Sequence, residues 1–166
     1  MLKLFFVFIF LSIAITSIAR EGADNLKPVD VQSSLETKQH TTRISIVNNQ
    51  IIVPVVFRNN GRIVTAKMIL DTGASVTTIY AKLASELNLG KNKLTIVKST
   101  SANGSKTDTF MTKVDLIEVN DQLQANAEVI YMPVRSDFGA DGLLGNSFLQ
   151  LFNFTIDYNN RLIRWN

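Results

Sequence analysis

The stretch Ile69-Leu70-Asp71-Thr72-Gly73-Ala74-Ser75 sets a carboxylate at the end of an apolar run, with a hydroxyl and a glycine directly after it. Asp and Gly both suit turns, so Asp71 can simply open one. It can equally be a placed acid, carried on the rigid end of a strand. The other reactive residue types narrow the choice. The chain has no cysteine, which removes thiol catalysis, zinc–thiolate sites and iron–sulfur clusters. Its one histidine, His40, stands in a polar stretch upstream of the patterned region. A Ser-His-Asp triad would have to use that residue, and a solvated linker residue is the plainer reading. Carboxylate chemistry is therefore the best-supplied hydrolytic chemistry, and no metal or cofactor is expected.

The elements around Asp71 must hold it still. Ile51 to Phe57 is apolar and β-branched, with Pro54 marking an edge or bulge. Asn59-Asn60-Gly61 is a hairpin signal, and Ile63 to Leu70 is the return strand that delivers Asp71. Thr77 to Leu89 carries a helical spacing of Ala81, Leu83, Ala84, Leu87 and Leu89, with Gly90 as its stop. Leu94 to Lys98 and Thr107 to Met111 flank the small residues Ser101 to Ser105, which reads as a long hairpin with a flexible tip. Val114 to Val119 and Ala127 to Met132 are two further strands around Asn120-Asp121. Asp141 to Gly145 reads as a turn into a short helix over Asn146 to Leu151, and Asp141 itself as a turn residue. Phe154 to Tyr158 and Leu162 to Trp165 make a last hairpin. Short strands broken by regular turn signals point to a closed or sandwiched β fold.

Composition sets the outer limits. A chain of 166 residues with 46% hydrophobic and 19% charged content is a globular protein with one core. A net charge of +3, without any run of five Lys or Arg, makes nucleic acid a poor partner. The N-terminal segment has Lys3, an apolar run from Leu4 to Ile15, and the small residues Ser17-Ile18-Ala19. This pattern predicts a signal peptide over 1–19, cleaved after Ala19, or, uncleaved, a membrane anchor over residues 4–19. Residues 20–43 read as a flexible tether, and the patterned domain is expected over 44–166.

Two motifs in this order, Asp71-Thr72-Gly73-Ala74-Ser75 after two apolar residues and Leu143-Leu144-Gly145 downstream of a flexible hairpin, resemble the retropepsin-like aspartic proteases of bacterial envelopes and retroviruses. The resemblance implies an all-β, closed-barrel acid-protease fold with one or two short helices and one lobe per chain. It implies an aspartic endopeptidase in which Asp71 is the catalytic carboxylate. The chain has a single Asp-Thr-Gly, so the second carboxylate of the pair would come from a second copy, making a homodimer. Two carboxylates about 3 Å apart share one proton. By the same resemblance Thr72 reaches across to the mate's backbone, and Gly73 lets its N–H point at the carboxylate. Ser75 is a supporting hydroxyl, and Ala102, Asn103 and Gly104 form the flap. Leu143 and Leu144 pack beneath the motif, and Gly145 permits close chain contact.

Ala74 follows the retroviral pattern. With no hydroxyl there to bond the carboxylate, a mildly acidic optimum is expected. Peptide or protein substrates and a periplasmic or envelope location complete the expectation. The alternative is a non-catalytic envelope domain of the same fold that binds peptide segments or a partner protein. A small barrel carrying an apolar ligand has no supporting motif.

Overall fold

Three two-residue turns join neighbouring strands in the computed structural model, which describes residues 40–100, 104–134 and 139–166. Strands β2 (Ser45–Val47) and β3 (Gln50–Asn59) are joined by Asn48-Asn49, with φ of 49° and 61°. Strand β4 (Arg62–Leu70) follows β3 through Asn60-Gly61, with φ of 48° and 75°. Positive φ at both central positions is the turn that matches strand twist, and Asn and Gly are the residues that tolerate it. Strands β7 (Lys106–Val119) and β8 (Gln122–Met132) meet at Asn120, again left-handed at φ 54°. The stretches expected as Thr107 to Met111 and Val114 to Val119 are thus one continuous strand, β7.

The remaining elements are β1 (Thr41–Arg43), β5 (Thr78–Tyr80), helix α1 (Ala81–Glu86), β6 (Thr95–Thr100), β9 (Gly142–Leu144), helix α2 (Asn146–Leu149), β10 (Phe154–Asp157) and β11 (Leu162–Trp165). The large sheet runs β2-β3-β4-β9-β5-β8-β7-β6. A further pairing of β3 with β7, Val56 to Glu118 through Arg58 to Leu116, closes it into a barrel. A separate sheet runs β1-β11-β10. The architecture is the all-β one expected, with two short helices.

Two expectations need correction. Thr77 to Leu89 is not one helix: Thr78–Tyr80 is a strand, Ala81–Glu86 is α-helical, and Leu89 opens a separate 3-10 turn, Leu89–Lys91. The chain leaves the helix at Asn88, left-handed at φ 57°, before Gly90 is reached. Asp141 to Gly145 is not a turn: Gly142–Leu144 is a strand between β4, to which it is parallel, and β5, to which it is antiparallel.

The core follows the pleat. Val53, Val55 and Phe57 are fully buried on alternate positions of β3, and Ala66 and Met68 face them from β4. Leu83 and Leu87 from the α1 segment and Phe148 from α2 cap the barrel interior. Burying a side chain such as Phe57 or Met68 contributes roughly 1.5–3 kcal/mol. Pro54 is exposed and lies where β3 is covered on only one side: β2 pairs with Ile52 and earlier residues, and β7 with Val56 and later ones. Its missing N–H therefore costs no ladder bond.

The described residues belong to one compact unit, Lys38–Asn166. Its first strand, β1, begins at Thr41 and pairs with β11, slightly ahead of the expected boundary at 44. His40 is exposed, but it is tied into this unit: its carbonyl accepts the Trp165 N–H at 2.8 Å, and its Nδ1 lies 3.1 Å from the Asp121 carboxylate. The expected signal peptide or anchor within 1–19 and residues 20–39 of the expected tether lie outside the described residues.

Candidate active site

Asp71 follows the last residue of β4. Its N–H donates to the Leu144 carbonyl at 3.0 Å, extending the parallel pairing of Leu70 with Leu144 by one more bond. The chain then turns tightly, with the Ala74 N–H donating to the Asp71 carbonyl at 3.2 Å. Inside that turn the Gly73 N–H donates to Asp71 Oδ1 at 2.8 Å. A backbone N–H aimed at a carboxylate fixes its direction. A methyl group at Gly73 would stand 3.1 Å from the same oxygen, so glycine keeps this approach open.

The turn rests on the start of α2. The Asn146 N–H donates to the Ala74 carbonyl at 2.8 Å and the Ser147 N–H to the Ser75 carbonyl at 3.0 Å. The Asn146 side chain donates through Nδ2 to the Thr72 carbonyl at 2.7 Å. Gly145 makes this close docking feasible, since a Cβ there would fall 2.7–2.8 Å from backbone atoms of Val76 and Ala74. Beside it lies a partly buried polar knot: the Thr77 Oγ1 accepts the Gly145 N–H at 3.2 Å and the Ser147 hydroxyl at 3.3 Å, while the Ser147 Oγ accepts the Thr77 N–H at 3.0 Å. Buried donors and acceptors so paired hold a single arrangement.

Asp71 is half-buried, and Thr72, Gly73 and Ser75 are exposed, so the turn presents its carboxylate and its tip outward. Leu144 is fully buried and Leu143 half-buried behind the turn. The Tyr80 hydroxyl is pushed up from its ordinary range, first by burial and then by the negative charge of Asp71. Tyr80 therefore stays neutral where Asp71 is charged.

The structure brings together Asp71, Thr72, Gly73, Ser75, Leu143, Leu144 and Gly145. Ser75 is held through its carbonyl, and its hydroxyl has no partner among the described residues. The hydroxyls that brace the turn are those of Thr77 and Ser147, and the amide is that of Asn146. Sequence reasoning assigned none of these three, although Asn146 and Ser147 directly follow the Leu-Leu-Gly motif and Thr77 lies one pleat beyond Ser75. Of the flap residues, Gly104 is exposed at φ 82°, while Ala102 and Asn103 lie outside the described residues.

Asp141 is also more than a turn residue. Its carboxylate accepts the Lys67 N–H at 2.9 Å and the Lys82 ammonium at 3.0 Å, and its backbone bridges Lys67 and Tyr80. It thereby clips β4 to β5 just ahead of β9.

Comparison with known proteins agrees with this geometry. Residues 53–148 match the family model for aspartyl proteases. No curated protein matches the chain. A solved structure of a retropepsin-like aspartic protease from Rickettsia conorii is 25% identical, with a TM-score of 0.56 over 76% of this chain and 89% of that one. Motif, support and fold together show that the chain belongs to the aspartyl protease family, with a retropepsin-like fold.

Proposed function

We propose that the chain is an aspartic endopeptidase that works as a homodimer, each copy supplying one Asp71 carboxylate. The observation that carries this reading is the outward-facing turn in which the Gly73 N–H fixes Asp71 Oδ1 at the end of β4. The same bond would serve an ordinary Asx turn, so the reading also leans on the match of residues 53–148 to the aspartyl protease family. Across a two-fold axis, two such carboxylates would hold one proton between them. The charged one takes a proton from water, and the protonated one donates a hydrogen bond to the scissile carbonyl as the water attacks. Tyr80 stays neutral and adds no competing charge. The β6–β7 hairpin, with Ala102, Asn103 and Gly104 at its tip, closes over the peptide and excludes water. The mature protein would begin at Arg20 in the cell envelope, which N-terminal sequencing of that fraction tests.

The deciding experiment is cleavage of a peptide library by the purified chain, alone and mixed with Asp71→Asn. The variant should fold and cleave nothing. An equal mixture of freely exchanging chains leaves roughly a quarter of the dimers with two competent carboxylates, so activity should fall below half. A fall to half would mean that each chain works alone.

A further inference from the structure

Strand β9 is only three residues long, yet it carries the carbonyl that holds the Asp71 N–H. Its parallel pairing with β4 sets Met68 beside Gly142, Ile69 beside Leu143 and Leu70 beside Leu144. So short a ladder specifies its register weakly, and a slip of one residue would turn every side chain to the other face. Gly142 guards the register on the β5 side, where the Thr78 carbonyl leaves no room for a side chain. Asp141 guards it on the β4 side. Its N–H donates to the Lys67 carbonyl at 2.8 Å, and its Oδ2 accepts the Lys67 N–H at 2.9 Å. One residue thus grips both backbone groups of another, directly before the first ladder pair. Its own carbonyl accepts the Tyr80 N–H at 3.0 Å, so β5 is tied to the same point. The other carboxylate oxygen accepts the Lys82 ammonium of α1 at 3.0 Å. The Asp141 side chain is only 12% exposed, and a carboxylate so far withdrawn from water depends on such donors.

We infer that Asp141 is a positioning residue for the Asp71 carboxylate: it pins the register of β9, and through the Leu144 carbonyl it fixes where the Asp71 turn begins. The catalytic consequence rests on the protease reading above. Asp141 lies three residues before Leu144, about 10 Å back along the strand, so it acts on Asp71 through the ladder and not by contact. A residue that merely opened a turn would bond within its own loop. This one bonds to two strands and a helix, and all three of its side-chain and backbone ties hold the strand that feeds the Asp71 turn.

Two readouts test this on the full chain, and one of them needs no activity. The first is hydrogen exchange of the Asp71 amide, followed by NMR. The β7 amides are the reference, because β7 pairs with neither β4 nor β9. In Asp141→Ala the Asp71 amide should exchange about ten-fold faster relative to that reference. In Asp141→Asn, whose amide oxygen can still accept the Lys67 N–H, it should exchange about three-fold faster. The second readout is peptide cleavage per folded chain. For Asp141→Ala kcat should fall about ten-fold with KM held within about two-fold, and Asp141→Asn should recover part of the loss. If Asp141→Ala does not fold, Asp141→Asn decides by the same two readouts. Unchanged Asp71 exchange in the folded variant overturns the inference. So does exchange that rises equally at Asp71 and in β7, which would mean that Asp141 serves general stability alone. A kcat per folded chain equal to the parent's overturns it as well. Faster Asp71 exchange in Asp141→Ala, where wild-type chains cleave no peptide, leaves Asp141 as the pin of the turn and removes the protease reading.

Discussion

The Asp71 N–H and the Leu144 carbonyl, 3.0 Å apart, tie the two sequence motifs into one object. The carboxylate hangs from the end of β9 as much as from the end of β4. Anything that moves β9 or the first turn of α2 moves Asp71.

That coupling gives Gly145 a measurable role. Gly145→Ala drives a methyl group to 2.7–2.8 Å from the backbone of Val76 and Ala74, which cannot yield as a side-chain tip would. The expected cost is about 1–3 kcal/mol, read as a lower urea midpoint at unchanged slope. Gly142→Ala should cost more, since its methyl would fall 2.0 Å from the Thr78 carbonyl oxygen. A midpoint for Gly145→Ala equal to that of the parent would show that the turn and α2 are not packed as described.

Gly73→Ala should separate function from folding. Gly73 is exposed, and its new methyl would meet only the Asp71 carboxylate, at 3.1 Å. The carboxylate can swing aside, so the thermal midpoint should hold. Peptide cleavage should drop about ten- to a hundred-fold, because a misplaced carboxylate loses the alignment that catalysis requires. Full turnover in this variant would mean that the Gly73 hydrogen bond does not orient the acid.

Asp157 sets a pH dependence of stability. Its carboxyl is pushed down from 3.8 to about 2, first by the Asn160 side chain, then by the Asn160 N–H, then by Arg164. A folded value below the unfolded one means stabilisation that is present above pH 3.8 and lost as the pH falls towards about 2. Asp157→Asn should therefore be less stable than the parent at pH 7, and the two urea midpoints should converge as the pH approaches 2. A gap that stays constant down to pH 2 would show that the turn does not depend on this charge.

The hairpin that carries Asp71 was legible because its signals are local: Asn60-Gly61 needs nothing beyond itself to turn. The β5 strand was not legible. Thr78–Tyr80 sits inside a stretch with helical spacing, and it becomes a strand because β8 and β9, both distant in sequence, pair with its two sides. Local periodicity cannot see that choice. Gly142-Leu143-Leu144 misleads for a similar reason. Asp-Gly looks like a turn, but the glycine is there because Thr78 passes too close for any side chain. The site was half legible. Asp71 and Gly73 announce themselves by type and order, whereas Thr77, Asn146 and Ser147 act through contacts that exist only once β9 lies beside β4. Asp141 looks like a turn residue in sequence because its work is done by a carboxylate reaching two other elements.

Pro54 has a consequence for solubility. Between its pairings with β2 and β7, the second edge of β3 is unpaired over Val53, Pro54 and Val55, a short opening for an added strand. The uncovered stretch of β3 is where the proline stands, so an incoming strand meets a ring with no N–H to give. Replacing it with Thr or Val would complete the hydrogen-bonding row, and the protein would become one whose concentrated solutions cloud on standing.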